Sequence, residues 1–129
     1  CHGARADDKN PDLSLLVREE RISCKALNEL LKEDAESLLL IDVRPANQFE
    51  FCKIDGSISV PIESFSAAKV MDLVWRQQIH RVILICRRGN DSQLAVRMLQ
   101  KELKSLPICD LIGGLRAWAQ EIDSEMPIY

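Results

Sequence analysis

The chain of 129 residues carries 17 Lys and Arg against 20 Asp and Glu, a formal net charge of -3, so it lacks the basic surface with which a general nucleic-acid binder neutralises phosphates. A hydrophobic content of 47% is enough to bury one core, and the length is too short for two ordinary domains. No apolar run approaches the roughly 20 residues that span a bilayer and no basic-then-apolar leader opens the chain, so a soluble cytosolic domain with no membrane partner is expected.

Residues 1–18 are polar and irregular, centred on Ala6-Asp7-Asp8-Lys9-Asn10-Pro11, and read as a linker or N-terminal arm before a folded domain over 19–129. Arg21 and Ile22 lead into a helix that Ser23 caps, with Leu27, Leu30 and Leu31 on one face. Leu38 to Val43 is a strand-length apolar run, and Ser57 to Ile62 is a weaker strand interrupted by Pro61. A helical stretch follows near Ser66 to Gln78, then a second apolar run from Val82 to Cys86. The clearest helix covers Ser92 to Lys104, where Leu94, Ala95, Met98, Leu99 and Leu103 form a stripe. A third run from Ile108 to Ile112 completes the strands. Runs apolar on both faces, alternating with helices, predict an α/β domain: a central parallel sheet with helices on both faces and right-handed crossovers.

Five cysteines, Cys1, Cys24, Cys52, Cys86 and Cys109, are odd in number and contain no C-x-x-C pair. Neither a disulfide framework nor a metal site is expected. Cys24 and Cys109 read as core residues. Cys86 ends a buried strand and opens the turn Arg87-Arg88-Gly89-Asn90-Asp91-Ser92 into the following helix. Ligand sites of parallel sheets lie beyond the carboxyl ends of the strands, and such a turn aims backbone N–H groups inward. Those donors, with Arg87 and Arg88, predict a thiol of depressed pKa. Gly89 and Asn90 suit positive φ, and Asp91 or Ser92 suits the helix cap. The residues alone leave Cys86 open between an activated nucleophile and an ordinary buried thiol.

Four segments, in order, resemble the rhodanese-like family. Leu40-Ile41-Asp42-Val43-Arg44-Pro45 resembles its strand ending in Asp-Val-Arg. Phe49 to Pro61 resembles its Gly-His-Ile-x-Gly-Ala segment, with Cys52, Lys53 and Ser57 replacing Gly, His and Ala. The Cys86 loop is the third. Gly113-Gly114 with Trp118 resembles the closing Gly-Gly-x-x-x-Trp element. Within the family, the loop through Gln93, the run Gly113 to Ala119, the ending Pro127-x-Tyr129 and the Cys1 to Lys9 arm are similar to the C-terminal domain of two-domain adenylyltransferase-sulfurtransferases that act on ubiquitin-like sulfur carriers.

That resemblance implies a sulfurtransferase in which Cys86 carries sulfur as a persulfide, served by the loop residues Arg87, Arg88, Gly89, Asn90, Asp91 and Ser92. It implies a cysteine desulfurase as donor, a ubiquitin-like sulfur carrier as acceptor in molybdopterin synthesis and tRNA thiolation, and an adenylyltransferase domain in the same chain. No cofactor is expected here, since no Gly-rich nucleotide loop is present; ATP and zinc would belong to the adenylyltransferase domain. Asp91 stands where thiosulfate-using relatives carry a cation-friendly residue, so an acid there disfavours a dianionic donor; the alternative makes it a helix cap.

Asp42 and Arg44 read as structural groups tying loops together, Gln48 replaces a common Glu, and Cys52 reads as a half-buried structural cysteine rather than a resolving thiol. Trp118 and the two glycines pack the last helix, and His80 reads as a surface residue. A phosphatase of related fold requires Arg at position 92 for bidentate phosphate binding. Ser92 excludes it. A catalytically silent rhodanese module used for protein binding is the alternative function.

Overall fold

The computed structural model describes residues 15–129, so most of the arm read over 1–18 lies outside the described residues. All three long apolar runs become strands: β2 at Leu38–Asp42, β4 at Arg81–Ile85 and β5 at Ile108–Leu111. Two shorter strands flank them, β1 at Arg21–Ile22 and β3 at Ile58–Ser59, and all five are parallel in the order β1-β5-β4-β2-β3. Residues read only as an approach to the first helix thus form an edge strand, in which Arg21 pairs with Asp110 and Ile22 with Leu111. Two residues are too few to show a period of two.

Helix α1, Cys24–Asp34, starts at the expected cap, with the Ala26 N–H donating to Ser23 Oγ at 3.1 Å. Helix α2, Ala46–Phe51, is not predicted from the sequence; it is under two turns long, too short for a stripe, and starts directly after Pro45. Helix α3 spans Ala67–Gln77, α4 spans Asp91–Gln100 and α5 spans Gly114–Glu121.

Side chains of successive strand residues point to opposite sheet faces, and two cores result. Leu39, Ile41, Val82, Leu84 and Cys86 join Val70 and Val74 of α3 and Ala95, Val96 and Leu99 of α4. Leu40, Ile83, Ile85, Cys109 and Leu111 join Leu27 of α1 and Leu115 and Trp118 of α5. Helices therefore cover both faces, as the doubly apolar runs require. Cys24 and Cys109 lie in the second core, while His80 is exposed. Cys24, Cys52, Cys86 and Cys109 are all free thiols. Among the described residues no helix is long and apolar enough to cross a membrane.

The stripe predicted for α4 is rotated. Leu94 and Met98 are each 41% exposed, whereas Ser92 and Gln93 are fully buried. Hydrogen bonds explain the difference: Gln93 Oε1 accepts from the Leu15 and Leu16 N–H groups, and its Nε2 donates to Gly89 O at 2.8 Å. A buried amide with its bonds made holds the helix face that hydrophobicity alone would have assigned to leucine and methionine.

Candidate functional site

At the carboxyl end of β4 the chain turns from Cys86 to α4 in four residues, and Cys86 is wholly buried. The Gly89 N–H donates to its Sγ at 3.1 Å, and the Cys86 thiol donates to Ser92 Oγ at 3.3 Å. Gly89 adopts φ +90, as expected for a tight turn, and has a second reason to lack a side chain: a Cβ there would stand 2.8 Å from Gly113 N and 3.2 Å from the Arg21 guanidinium. Asn90 departs from expectation. It keeps a negative φ of -102 at the N-cap, with no side-chain capping bond. Asp91 and Ser92 do not cap either, because the helix already begins at Asp91.

Ser92 has other work. Its hydroxyl donates to Asp110 Oδ2 at 2.8 Å, and Asp110 is fully buried. Arg21 closes the chain, with Nε 2.8 Å from Asp110 Oδ1 and an Nη2 that donates both to Oδ2 and to Gly89 O at 3.0 Å. Four residues from β1, β5, the loop and α4 therefore form one connected polar group around the sulfur. No site role is predicted from the sequence for Arg21, Asp110 or Gln93. One signal was available: Asp110 is a charge inside an otherwise apolar strand.

The expected depression of the Cys86 pKa is not found. Burial pushes the thiol above its ordinary range, and the opposing hydrogen bonds from the backbone N–H groups of Ser92 and Gly89 do not offset it. The local donors that the sequence pointed to are present. Complete removal from water outweighs them, so the resting sulfur is a neutral thiol, and its reactivity rises with pH.

The closing glycines seat the loop from behind. Gly113 and Gly114 have φ of +75 and +63, and the N–H groups of Leu115 and Arg116 donate to the carbonyls of Cys86 and Arg87 at 2.8 and 3.0 Å. Gly114 packs so closely on those carbonyls that a Cβ would stand 2.6 Å from the Arg87 carbonyl carbon. The two residues do more than pack α5 on the sheet. They hold the backbone of the loop in place.

Arg87 and Arg88 are both half-buried. Arg87 Nε donates to the backbone oxygen of Tyr129 at 2.8 Å, and its guanidinium lies 4.6 Å from the centre of that ring. Asp42 and Arg44 are buried and structural, as expected. The Arg44 guanidinium takes both Asp42 oxygens, at 2.7 to 3.1 Å, and also donates to Cys52 O and Tyr129 Oη. Gln48 accepts from the Tyr129 hydroxyl at 2.8 Å, so its neutral amide has a defined partner in place of an ion pair. Cys52 is half-buried beside Arg44, with Sγ 3.9 Å from the guanidinium.

Comparison with known proteins is consistent across sequence and structure. The model of the family described as "Rhodanese-like domain" matches residues 23–121. The adenylyltransferase and sulfurtransferase MOCS3 of Aedes aegypti is 43% identical over 132 residues, and its counterpart in Anopheles gambiae is 45% identical over 134. Those alignments cover 97% and 98% of this chain and 30% of each relative, so the chain spans under a third of the length of the curated relatives it matches. A solved rhodanese-related protein from Thermoplasma volcanium superposes with a TM-score of 0.58 at 28% identity, covering 80% of this chain and 93% of that one.

Proposed function

The chain belongs to the rhodanese-like family of sulfurtransferase domains, and we propose that it holds a sulfur atom as a persulfide on Cys86 and passes it to the activated C-terminus of a ubiquitin-like sulfur-carrier protein. The observation that carries this reading is the placement of Cys86 Sγ at the end of β4, enclosed by the Gly89 N–H, Ser92 and the loop backbone. Loop N–H groups and a helix N-terminus stabilise an anion on sulfur without a histidine base.

The chemistry balances with two partners. The Cys86 thiolate attacks the outer sulfur of a cysteine desulfurase persulfide; the donor S–S bond breaks and the donor cysteine leaves as a thiolate. The outer sulfur of Cys86 then attacks the acyl carbon of the carrier's adenylated C-terminal glycine, expelling AMP and leaving an acyl disulfide. A reducing thiol attacks the Cys86 sulfur of that disulfide. The carrier departs as a thiocarboxylate for molybdopterin synthesis and tRNA thiolation, and a second thiol frees Cys86. Adenylation, with its ATP and zinc, belongs to an adenylyltransferase domain of the same protein, in the cytosol. Arg87 and Arg88 steer the carrier tail, and the loop amides stabilise the developing charge. The 43% identity to an adenylyltransferase and sulfurtransferase supports this assignment.

Donor choice rests on Asp91, the one acidic residue of the loop 86–92 and only 4% exposed. Asp91→Arg is expected to raise persulfide formation from thiosulfate by at least about tenfold, since it replaces repulsion of a dianion by attraction. Loading from a desulfurase should gain nothing comparable. Mass spectrometry of the Cys86 peptide after timed exposure to each donor measures both rates; equal rates in variant and wild type with both donors would remove Asp91 from donor selection. For the transfer itself, the reporter is thiocarboxylate on the carrier, which Cys86→Ala must abolish. Undiminished thiocarboxylate in that variant would instead leave the domain as a protein-binding module.

A further inference from the structure

The hydroxyl of Ser92 lies between two groups that both want its one hydrogen. Asp110 Oδ2 accepts it at 2.8 Å in the resting chain, and Cys86 Sγ stands 3.3 Å from the same oxygen. A serine hydroxyl donates once. While it donates to Asp110, its lone pairs face the sulfur, which satisfies a protonated thiol and leaves an anion without that donor. We propose that Asp110, anchored by Arg21, holds the Ser92 hydrogen away from the empty cysteine and keeps it a neutral thiol, and that the hydrogen turns to sulfur only when the sulfur becomes anionic. Ser92 touches the reacting atom; Asp110 and Arg21 are positioning residues that act through it.

The geometry makes the exchange feasible. Asp110 would not be stranded when Ser92 turns away, because Arg21 supplies two N–H groups to its two oxygens. Arg21 also donates to Gly89 O, so one guanidinium binds both Asp110 and the loop residue whose N–H faces the sulfur. Other charged groups at this end of the sheet are Asp42 at the end of β2 and Arg44 just beyond it, Arg87 and Arg88 in the loop, Asp91 at the start of α4 and Arg116 on α5. Asp42 and Arg44 neutralise each other as an ion pair at 2.7 Å. Asp110 is joined to the sulfur through a single hydrogen-bonding residue, Ser92.

This proposal rests on Cys86 being the sulfur carrier, but its test does not need sulfur transfer. Alkylation of Cys86 by iodoacetamide, followed peptide by peptide as a function of pH, reports the midpoint of thiol ionisation. Asp110→Asn removes a negative charge, and its amide can donate to Ser92 Oγ, freeing the hydroxyl hydrogen for sulfur; the midpoint should fall by about one pH unit. Ser92→Ala removes the donor that a thiolate needs, so the midpoint should rise by about the same amount, and Ser92→Thr should restore it. Opposite signs separate the proposal from mere loosening of the site, which would move both variants the same way. Shifts of one sign, or none, would overturn it. If Asp110→Asn does not fold, the Ser92→Ala and Ser92→Thr pair decides: an unmoved midpoint in Ser92→Ala refutes the proposal. Should Cys86 titrate as proposed yet take up no sulfur from any donor, the sulfurtransferase reading fails and the hydrogen-bond assignment stands.

Discussion

Gly114→Ala is expected to lower sulfur transfer through Cys86 by about 100-fold, the scale associated with displacing a reacting group by an ångström, although residue 114 touches no substrate in the proposed reaction. An added methyl at this position falls on the carbonyls of Cys86 and Arg87, and those two carbonyls accept the first N–H groups of α5. Either the loop moves off α5 or α5 moves off the sheet. Both displace Sγ from the Gly89 N–H that faces it at 3.1 Å. Part of the cost is the left-handed backbone, about 1–2 kcal/mol for a residue with a Cβ, and a control isolates it. Gly56 has φ +87 with nothing within 4 Å of a Cβ, so Gly56→Ala carries the backbone strain without the collision. Persulfide loading rates, compared after both variants are shown folded by circular dichroism, should fall in Gly114→Ala and stay within about twofold in Gly56→Ala.

Asp42→Ala is expected to destabilise the fold by about 3–5 kcal/mol, the cost of leaving a buried charge without its partner, which is a large part of the ~5–15 kcal/mol available to a domain. Asp42 and Arg44 are both fully buried. Burial opposes the charge on Arg44, and the Asp42 carboxylate outweighs that opposition, so the guanidinium stays charged. Without Asp42, its remaining bonds to Cys52 O and Tyr129 Oη are neutral acceptors in an apolar setting. Asp42→Leu combined with Arg44→Met removes both charges and should recover part of the loss. The recovery is incomplete because Arg44 also ties the Cys52 segment and Tyr129 to the end of β2. Urea midpoints of the single and double variants measure the difference; a single variant within about 0.5 kcal/mol of wild type would show that the pair contributes nothing.

The sheet was legible because three runs are apolar on both faces, and only a parallel sheet covered by helices buries such runs. The loop was legible because a strand ending in cysteine, a glycine that must take positive φ and a helix start occur within seven residues. Groups brought in from a distance were harder. Arg21 lies 89 positions from Asp110, and nothing local to either residue announces the pair. Asp110 could have been questioned as a charge in an apolar strand, since such a charge needs a partner. The pKa of Cys86 was misjudged for a related reason: donors near a cysteine are visible in sequence, but its complete burial is set by the packing of β4, α4 and the loop. Gln93 misled in the same way, for its buried amide turned α4 away from the stripe of Leu94 and Met98.

The central claim is that Cys86 carries transferable sulfur, and intact mass after incubation with a sulfur donor tests it most directly. The chain should gain the mass of one sulfur atom, lose it on treatment with a thiol reductant, and show no such gain as Cys86→Ala while Cys1, Cys24, Cys52 and Cys109 remain. A reducible sulfur adduct of equal yield in Cys86→Ala, or no adduct on Cys86 from either thiosulfate or a desulfurase, would contradict the account.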